Sequence, residues 1–166
     1  NLDKGSHTIE LLPDEDQKYP VLIRLITKEF ESLGKSKKIL MPMVHKSAVQ
    51  LETDGKIINY FECSPELPLQ IEAKGKKTMR IMTRLQFSEQ MGQEEAYRLR
   101  VSEGNKIIGT YYFSTERSSA SQIKGRMDKV PGKWRSCEFN VPKGKHRYDL
   151  EVLDRDKVVL TRFILY

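Results

Sequence analysis

The stretch Val49-Gln50-Leu51-Glu52-Thr53-Asp54-Gly55-Lys56-Ile57-Ile58-Asn59-Tyr60-Phe61-Glu62-Cys63 carries the decision about the fold. Two apolar-rich runs flank an Asp-Gly pair. A type I′ turn needs positive φ at both central residues, which Asp and Gly tolerate, so this arrangement reads as a β-hairpin. Ser64-Pro65 then stops the second strand, because proline cannot donate to a ladder.

The same pattern repeats downstream. Leu69, Ile71 and Ala73 alternate up to Lys74-Gly75-Lys76, which reads as a second turn. Met79, Ile81, Thr83, Leu85 and Phe87 form the longest alternation, with Arg80, Arg84 and Gln86 on the other face. Ser88 to Glu94 reads as a loop, and Tyr97, Leu99 and Val101 alternate with Arg98 and Arg100 before a turn at Glu103-Gly104-Asn105. Ile107 to Phe113 returns, and Ser114 to Lys129 reads as a long surface loop or a weak edge strand. Pro131-Gly132 reopens the sheet, with Cys137, Phe139 and Val141 in phase. Pro142-Lys143-Gly144 is expected to turn the chain into Tyr148, Leu150 and Val152, and Asp154-Arg155-Asp156 into Val158 to Leu165. About eight short strands at regular spacing predict an antiparallel all-β domain, a two-sheet sandwich in preference to a closed barrel. Period-2 alternation gives each strand one core face and one solvent face.

The first 46 residues are less regular. Residues 1–18 are expected to form an extended arm, and residues 19–166 a single sandwich domain. Leu22, Ile26, Phe30 and Leu33 have helical spacing with Gly34 behind them, while Val21, Ile23 and Leu25 alternate as in a strand. A strand over Val21–Thr27 is preferred, and one short N-terminal helix stays open.

Composition narrows the class of function. The chain has 166 residues, 38% hydrophobic and 31% charged, which is globular. No apolar run reaches the roughly 20 residues of a membrane-spanning helix. The net charge of +6 comes from 29 basic and 23 acidic residues interspersed along the chain. That argues against nucleic acid as a partner, which calls for a denser basic stripe. The chain begins at Asn1 rather than Met. A removed export signal or a trimmed boundary explains this, and export to the periplasm or cell exterior is the expectation.

Catalytic motifs are missing: there is no phosphate-binding glycine loop, HExxH, GxSxG or CxxC. His7, His45 and His146 are far apart in sequence, and Asp154 and Asp156 offer too few oxygens for a Ca²⁺ loop. No catalytic residue, metal site or cofactor is therefore assigned. Cys63 and Cys137 share the inward parity of their strands. They are either a disulfide between sheets or two buried thiols.

Two outward features suggest binding. Trp134, the sole tryptophan, has the parity of Ser136, Glu138 and Asn140, and Tyr112 and Tyr60 are read as outward on their own strands. A flat exposed ring can stack on the apolar face of a pyranose while nearby polar groups take the hydroxyls. Arg80, Arg84, Arg98 and Arg100 have outward parity on consecutive strands, so they are expected to share a cationic face suited to carboxylate, sulfate or phosphate. Asp149 and Glu151 also point outward and are available to pair with these arginines across strands.

Val141-Pro142-Lys143-Gly144-Lys145-His146-Arg147-Tyr148-Asp149-Leu150-Glu151-Val152 and Leu69–Phe87 resemble hairpins of exported jelly-roll, carbohydrate-binding-like accessory domains. The resemblance covers about half of the chain and implies a fold habit rather than a site, so it carries over no binding residue. The expected function is a non-catalytic exported β-sandwich module for a cell-envelope or extracellular glycan. The alternative is a structural or protein-interaction domain, with an envelope protein as partner, docking through a sheet edge or basic face. A β-sandwich polysaccharide hydrolase or lyase using His146 or His45 is the third reading.

Overall fold

The computed structural model describes residues 37–166. The arm expected at 1–18, the boundary at 18/19, the strand or helix near Val21–Thr27, and His7 lie outside the described residues. Ten antiparallel strands follow in order: β1 Lys38–Leu40, β2 Val49–Thr53, β3 Lys56–Cys63, β4 Leu69–Phe87, β5 Glu94–Glu103, β6 Lys106–Glu116, β7 Ser121–Ile123, β8 Val130–Pro131, β9 Arg135–Val152 and β10 Val159–Leu165. No helix occurs among the described residues. The all-β antiparallel class read from the alternation holds.

The Asp-Gly hairpin forms as expected. Asp54 and Gly55 take φ of 50° and 70°, and β2 pairs with β3 from Val49↔Tyr60 to Thr53↔Lys56. The expected turns at Lys74-Gly75-Lys76 and Pro142-Lys143-Gly144 do not form. β4 and β9 run straight through these positions as strands of 19 and 18 residues. Gly75 lies opposite Lys143 and Gly144, and the register shifts there. The two turn signals face each other across one ladder and form a bulge, a local kink with extra twist.

That kink divides the long ladder into two halves. Beyond it, β4 from Met79 to Leu85 pairs with β10 and with the first half of β9. Before it, β4 from Leu69 to Lys74 pairs with the second half of β9, which is joined by β5 and then β6. The hydrogen-bonded order is β6-β5-β9-β4-β10-β3-β2-β7. Leu69, Ile71, Leu99 and Leu150 from one half share a single buried cluster with Met79, Ile81, Phe163 and Cys63 from the other. Two buried hydrogen bonds cross between the halves: Thr83 Oγ1 to the Tyr97 hydroxyl at 2.7 Å, and the Cys63 thiol to the Leu150 carbonyl at 3.4 Å.

A second, smaller cluster lies on the opposite face of β3 and β10: Val49, Leu51, Tyr60, Leu160 and Ile123. It exists because the segment read as a long surface loop or a weak edge strand returns over that face and forms a short edge strand there. β7 pairs with β2, Arg126 reaches Glu62 and Gln86, and β8 pairs with the end of β4.

The kink tolerates no side chain at position 75. A Cβ on Gly75 would overlap the backbone carbonyl oxygens of Val141 and Pro142. Gly75→Ala is therefore expected to destabilise the protein by about 3 kcal/mol or to prevent folding, at or beyond the upper range for overpacking. Gly92→Ala, whose Cβ meets its nearest atom at an ordinary 3.6 Å, is expected to stay within about 0.5 kcal/mol. Urea denaturation of both variants checks this, and equal midpoints would refute it.

Candidate functional site

The outer face of the β5–β6 hairpin gathers more of the expected residues than any other part of the described surface. Counting back from the Glu103–Lys106 turn would put Arg98 opposite Tyr111. The ladder slips by one residue between Val101 and Ser102, however, and Arg98 faces Tyr112 instead. The next outward pair toward the hairpin's open end is Ala96 and Ser114, and the next toward the turn is Arg100 and Thr110. A small pair beside a large one leaves a hollow. The resulting shallow, open cleft of about 350 Å³ is lined by Ala96, Tyr97, Arg98, Tyr112, Phe113, Ser114 and Asp154.

Tyr112 stands 73% exposed on a paired strand, so its ring is presented from a rigid base. Arg98 is fixed from the β9–β10 turn: its Nε and Nη2 both donate to Asp154 Oδ1, at 2.9 and 2.7 Å, while its backbone N–H donates to Oδ2 at 2.7 Å. Burial alone would raise the Asp154 carboxyl, but these hydrogen bonds outweigh it and hold Asp154 below the usual carboxylate range. Asp154 thus stays ionised and its negative charge offsets that of Arg98.

Trp134 is 56% exposed just before β9. It sits beside the end of β6, because Lys133 N–H donates to the Glu116 carbonyl and Arg135 Nε to the Ser114 carbonyl. Its backbone therefore flanks the same hairpin, beside Ser114 rather than Tyr112.

Tyr60 is 2% exposed, packed in the cluster over β3 and β10, so the expectation of an outward ring there is corrected. Arg84 is likewise buried, at 7% exposure, with Nη1 donating to the Gly132 carbonyl at 2.9 Å. Both corrections have one cause: the returning chain from β7 to Gly132 covers a face that alternation alone marks as solvent. The common arginine face also divides. β9 lies between β4 and β5 in the order, and Arg80 is on the half of β4 beyond the kink, paired with Glu138 and with the Tyr166 hydroxyl. Arg98 and Arg100 remain together on β5. The pairing anticipated for Glu151 occurs with Arg100 at 3.9 Å, while Asp149 accepts from Gln70 at 2.8 Å.

Cys63 and Cys137 are both inward and both free. Cys63 faces Val159, Val159 faces Leu85 on β4, and Cys137 faces Ile81 on β4. Three strand spacings, about 14 Å across the sheet, and a four-residue stagger along β4 separate them, well over twice the reach of a disulfide. The bridge considered from sequence is not made. Burial pushes both thiols up to about 12, so neither acts as a nucleophile near neutral pH.

Alternation could not identify Asp154, Ala96 and Ser114 as site residues. Asp154 reaches the site from a turn, and the small pair depends on the hairpin slip. Among the described residues no group of three or more His, Cys, Asp or Glu gathers as a metal-ligand set. The His45 ring packs tilted against Phe61 with ring centroids 4.7 Å apart, and His146 Nδ1 lies 2.7 Å from Glu103 Oε1.

No family model matches the chain, and no curated protein matches it. Solved structures do. The chain is similar to the CBM36-1 domain of a multidomain xylanase from the hindgut metagenome of Trinervitermes trinervoides, with 10% identity, a TM-score of 0.43, and coverage of 79% of this chain and 97% of that one. It is similar to the CBM35 from Cellvibrio japonicus Abf62, with 10% identity, a TM-score of 0.40, and coverage of 79% and 93%. It is also similar to the carbohydrate-binding module CBM6cm-2 from Cellvibrio mixtus lichenase 5A in complex with cellotriose, with 13% identity, a TM-score of 0.37, and coverage of 77% and 95%. Identities and TM-scores this low transfer neither a site nor a ligand to this chain.

The Glu103 hydrogen bond, acting against partial desolvation and helped by the Lys143 carbonyl, raises His146 above its ordinary 6.5. A raised folded-state value means the pair stabilises fully below about pH 6.5 and loses that contribution as pH climbs through the folded value. An NMR titration of the His146 ring is expected to give a midpoint above 6.5 that falls back in Glu103→Gln. An unchanged midpoint in the variant would refute the pairing.

Proposed function

We propose that this protein is a non-catalytic glycan-binding β module that holds its ligand on the outer face of the β5–β6 hairpin. The observation that supports the reading is Tyr112: a residue 73% exposed, on a paired strand, beside a cleft that holds an Asp154-fixed guanidinium. The ring offers an apolar face for a pyranose, and the largely apolar cleft beside it is edged by the Arg98–Asp154 pair, the polar group nearest to the sugar's hydroxyls. Trp134 extends the platform along the edge toward Ser114. The reading includes a setting at the cell envelope or outside the cell, where such ligands are met, with no reaction carried out on them.

A second reading, docking of a protein through a sheet edge, has its own observation. The carbonyls of Glu116 and Ser114 project from the free side of β6 and are taken by Lys133 and Arg135. By strand periodicity the backbone groups of Tyr112 and Thr110 project the same way, and among the described residues β6 pairs there only with β5. An unpaired, largely uncharged edge is a template for another strand.

Tyr112→Ala in the folded protein is expected to weaken glycan binding about tenfold, equivalent to about 1.4 kcal/mol of stacking, while Tyr112→Phe retains it. Affinity electrophoresis against neutral and acidic polysaccharides reads the effect. Binding indifferent to Tyr112→Ala would overturn the site. Pairing abolished by Thr110→Pro, with no glycan bound, would favour the edge.

A further inference from the structure

The partners of the four arginines on outward-facing positions differ sharply. Arg98 has two guanidinium nitrogens on Asp154. Arg80 donates to Glu138 and the Tyr166 hydroxyl, and Arg84 is buried with Nη1 on the Gly132 carbonyl. Arg100 alone of the four makes no hydrogen bond through its guanidinium among the described residues. Its Nη1 stands 3.9 Å from Glu151 Oε2, an ion pair beyond hydrogen-bond reach, and its Nε is buried without a partner. The Arg100 side chain is 38% exposed. Nε is turned into the protein, so the accessible edge of the guanidinium is the Nη pair, the fork that grips a planar carboxylate with two parallel bonds.

Position adds a second argument. Arg100 is two residues from Arg98 on the same strand face, about 7 Å along β5, and Tyr112 lies opposite Arg98. Tyr112 and Arg100 are therefore diagonal cross-strand neighbours, about 7–8 Å apart at the backbone. A single pyranosiduronate, ring on Tyr112 and exocyclic carboxylate on Arg100, covers that span.

Building on the glycan reading above, we infer that the ligand class is an acidic glycan whose uronate carboxylate is taken by Arg100 while its sugar ring stacks on Tyr112. The acidic groups on this face are compatible with it. Asp154 is spent on Arg98, Asp149 on Gln70, and Glu94 accepts from Ser114. Glu151 is the group an incoming carboxylate displaces, and its loose contact makes the exchange inexpensive. The arrangement also places the charge selection one residue pair away from the stacking ring, so the two contributions can be removed separately.

The test uses galacturonate, glucuronate and mannuronate oligosaccharides, each beside its carboxyl-reduced neutral form, titrated calorimetrically into the whole protein at low salt. At least one uronate is expected to bind tenfold or more tightly than its reduced partner. Arg100→Gln should bring that ratio to one, Arg100→Lys should lower it partly, and Glu151→Gln should raise it. A wild-type ratio of one with Tyr112-dependent binding would overturn this inference and leave the glycan reading standing. A ratio that survives Arg100→Gln would overturn it too, and so would a sulfated glycan preferred over every uronate. Binding of no saccharide at all would overturn both.

Discussion

The contact between Gly75 and the Val141–Gly144 segment is the constraint from which the described structure follows. Two strands of 19 and 18 residues are paired along nearly their whole length. A ladder that long, left flat, would present Leu69, Ile71 and Ala73 to the same open space as Met79 and Ile81. The bulge opposite Gly75 bends both strands at once, and the apolar faces of the two halves then share one core. The Thr83–Tyr97 hydrogen bond, of the order of 1 kcal/mol net, spans the halves and is sealed from water. Tyr97 also lines the floor of the β5–β6 cleft. Core and candidate site therefore share a residue of β5, its side chain in the core and its backbone at the cleft.

The sequence was most legible where local chemistry decides the backbone. Asp54-Gly55 selects a hairpin whatever surrounds it, and the turns at Gly104-Asn105 and Asp154–Asp156 follow similar rules. Inward parity from Met79 to Phe87 and from Tyr148 to Val152 was equally secure, since one face of each meets the core. Lys74-Gly75-Lys76 and Pro142-Lys143-Gly144 misled for a physical reason. Glycine and proline also mark bulges, and only the pairing partner distinguishes a bulge from a turn. Each signal had its explanation about seventy residues away.

The site was half legible. Tyr112, Arg98 and Arg100 emerge from alternation, and the hairpin brings them onto one face. Tyr60 and Arg84 have the right parity but lie under the returning β7–β8 region, whose short strands carry little periodic signal. Parity states which side of a sheet a residue is on. It does not state whether another segment covers that side. The cysteines make the same point, since both face inward yet are held apart by the two strands between them.

Native-state hydrogen exchange along β4 tests the central claim, that the two halves are one ladder bent at Gly75. Amides of Ile71 and Ala73, before the kink, and of Ile81 and Thr83, beyond it, are expected to exchange with the same free energy, equal to that of global unfolding. Two separate exchange energies, with the Leu69–Lys74 half opening well before the Met79–Leu85 half, would show two independent sheets joined by a turn and would contradict the account.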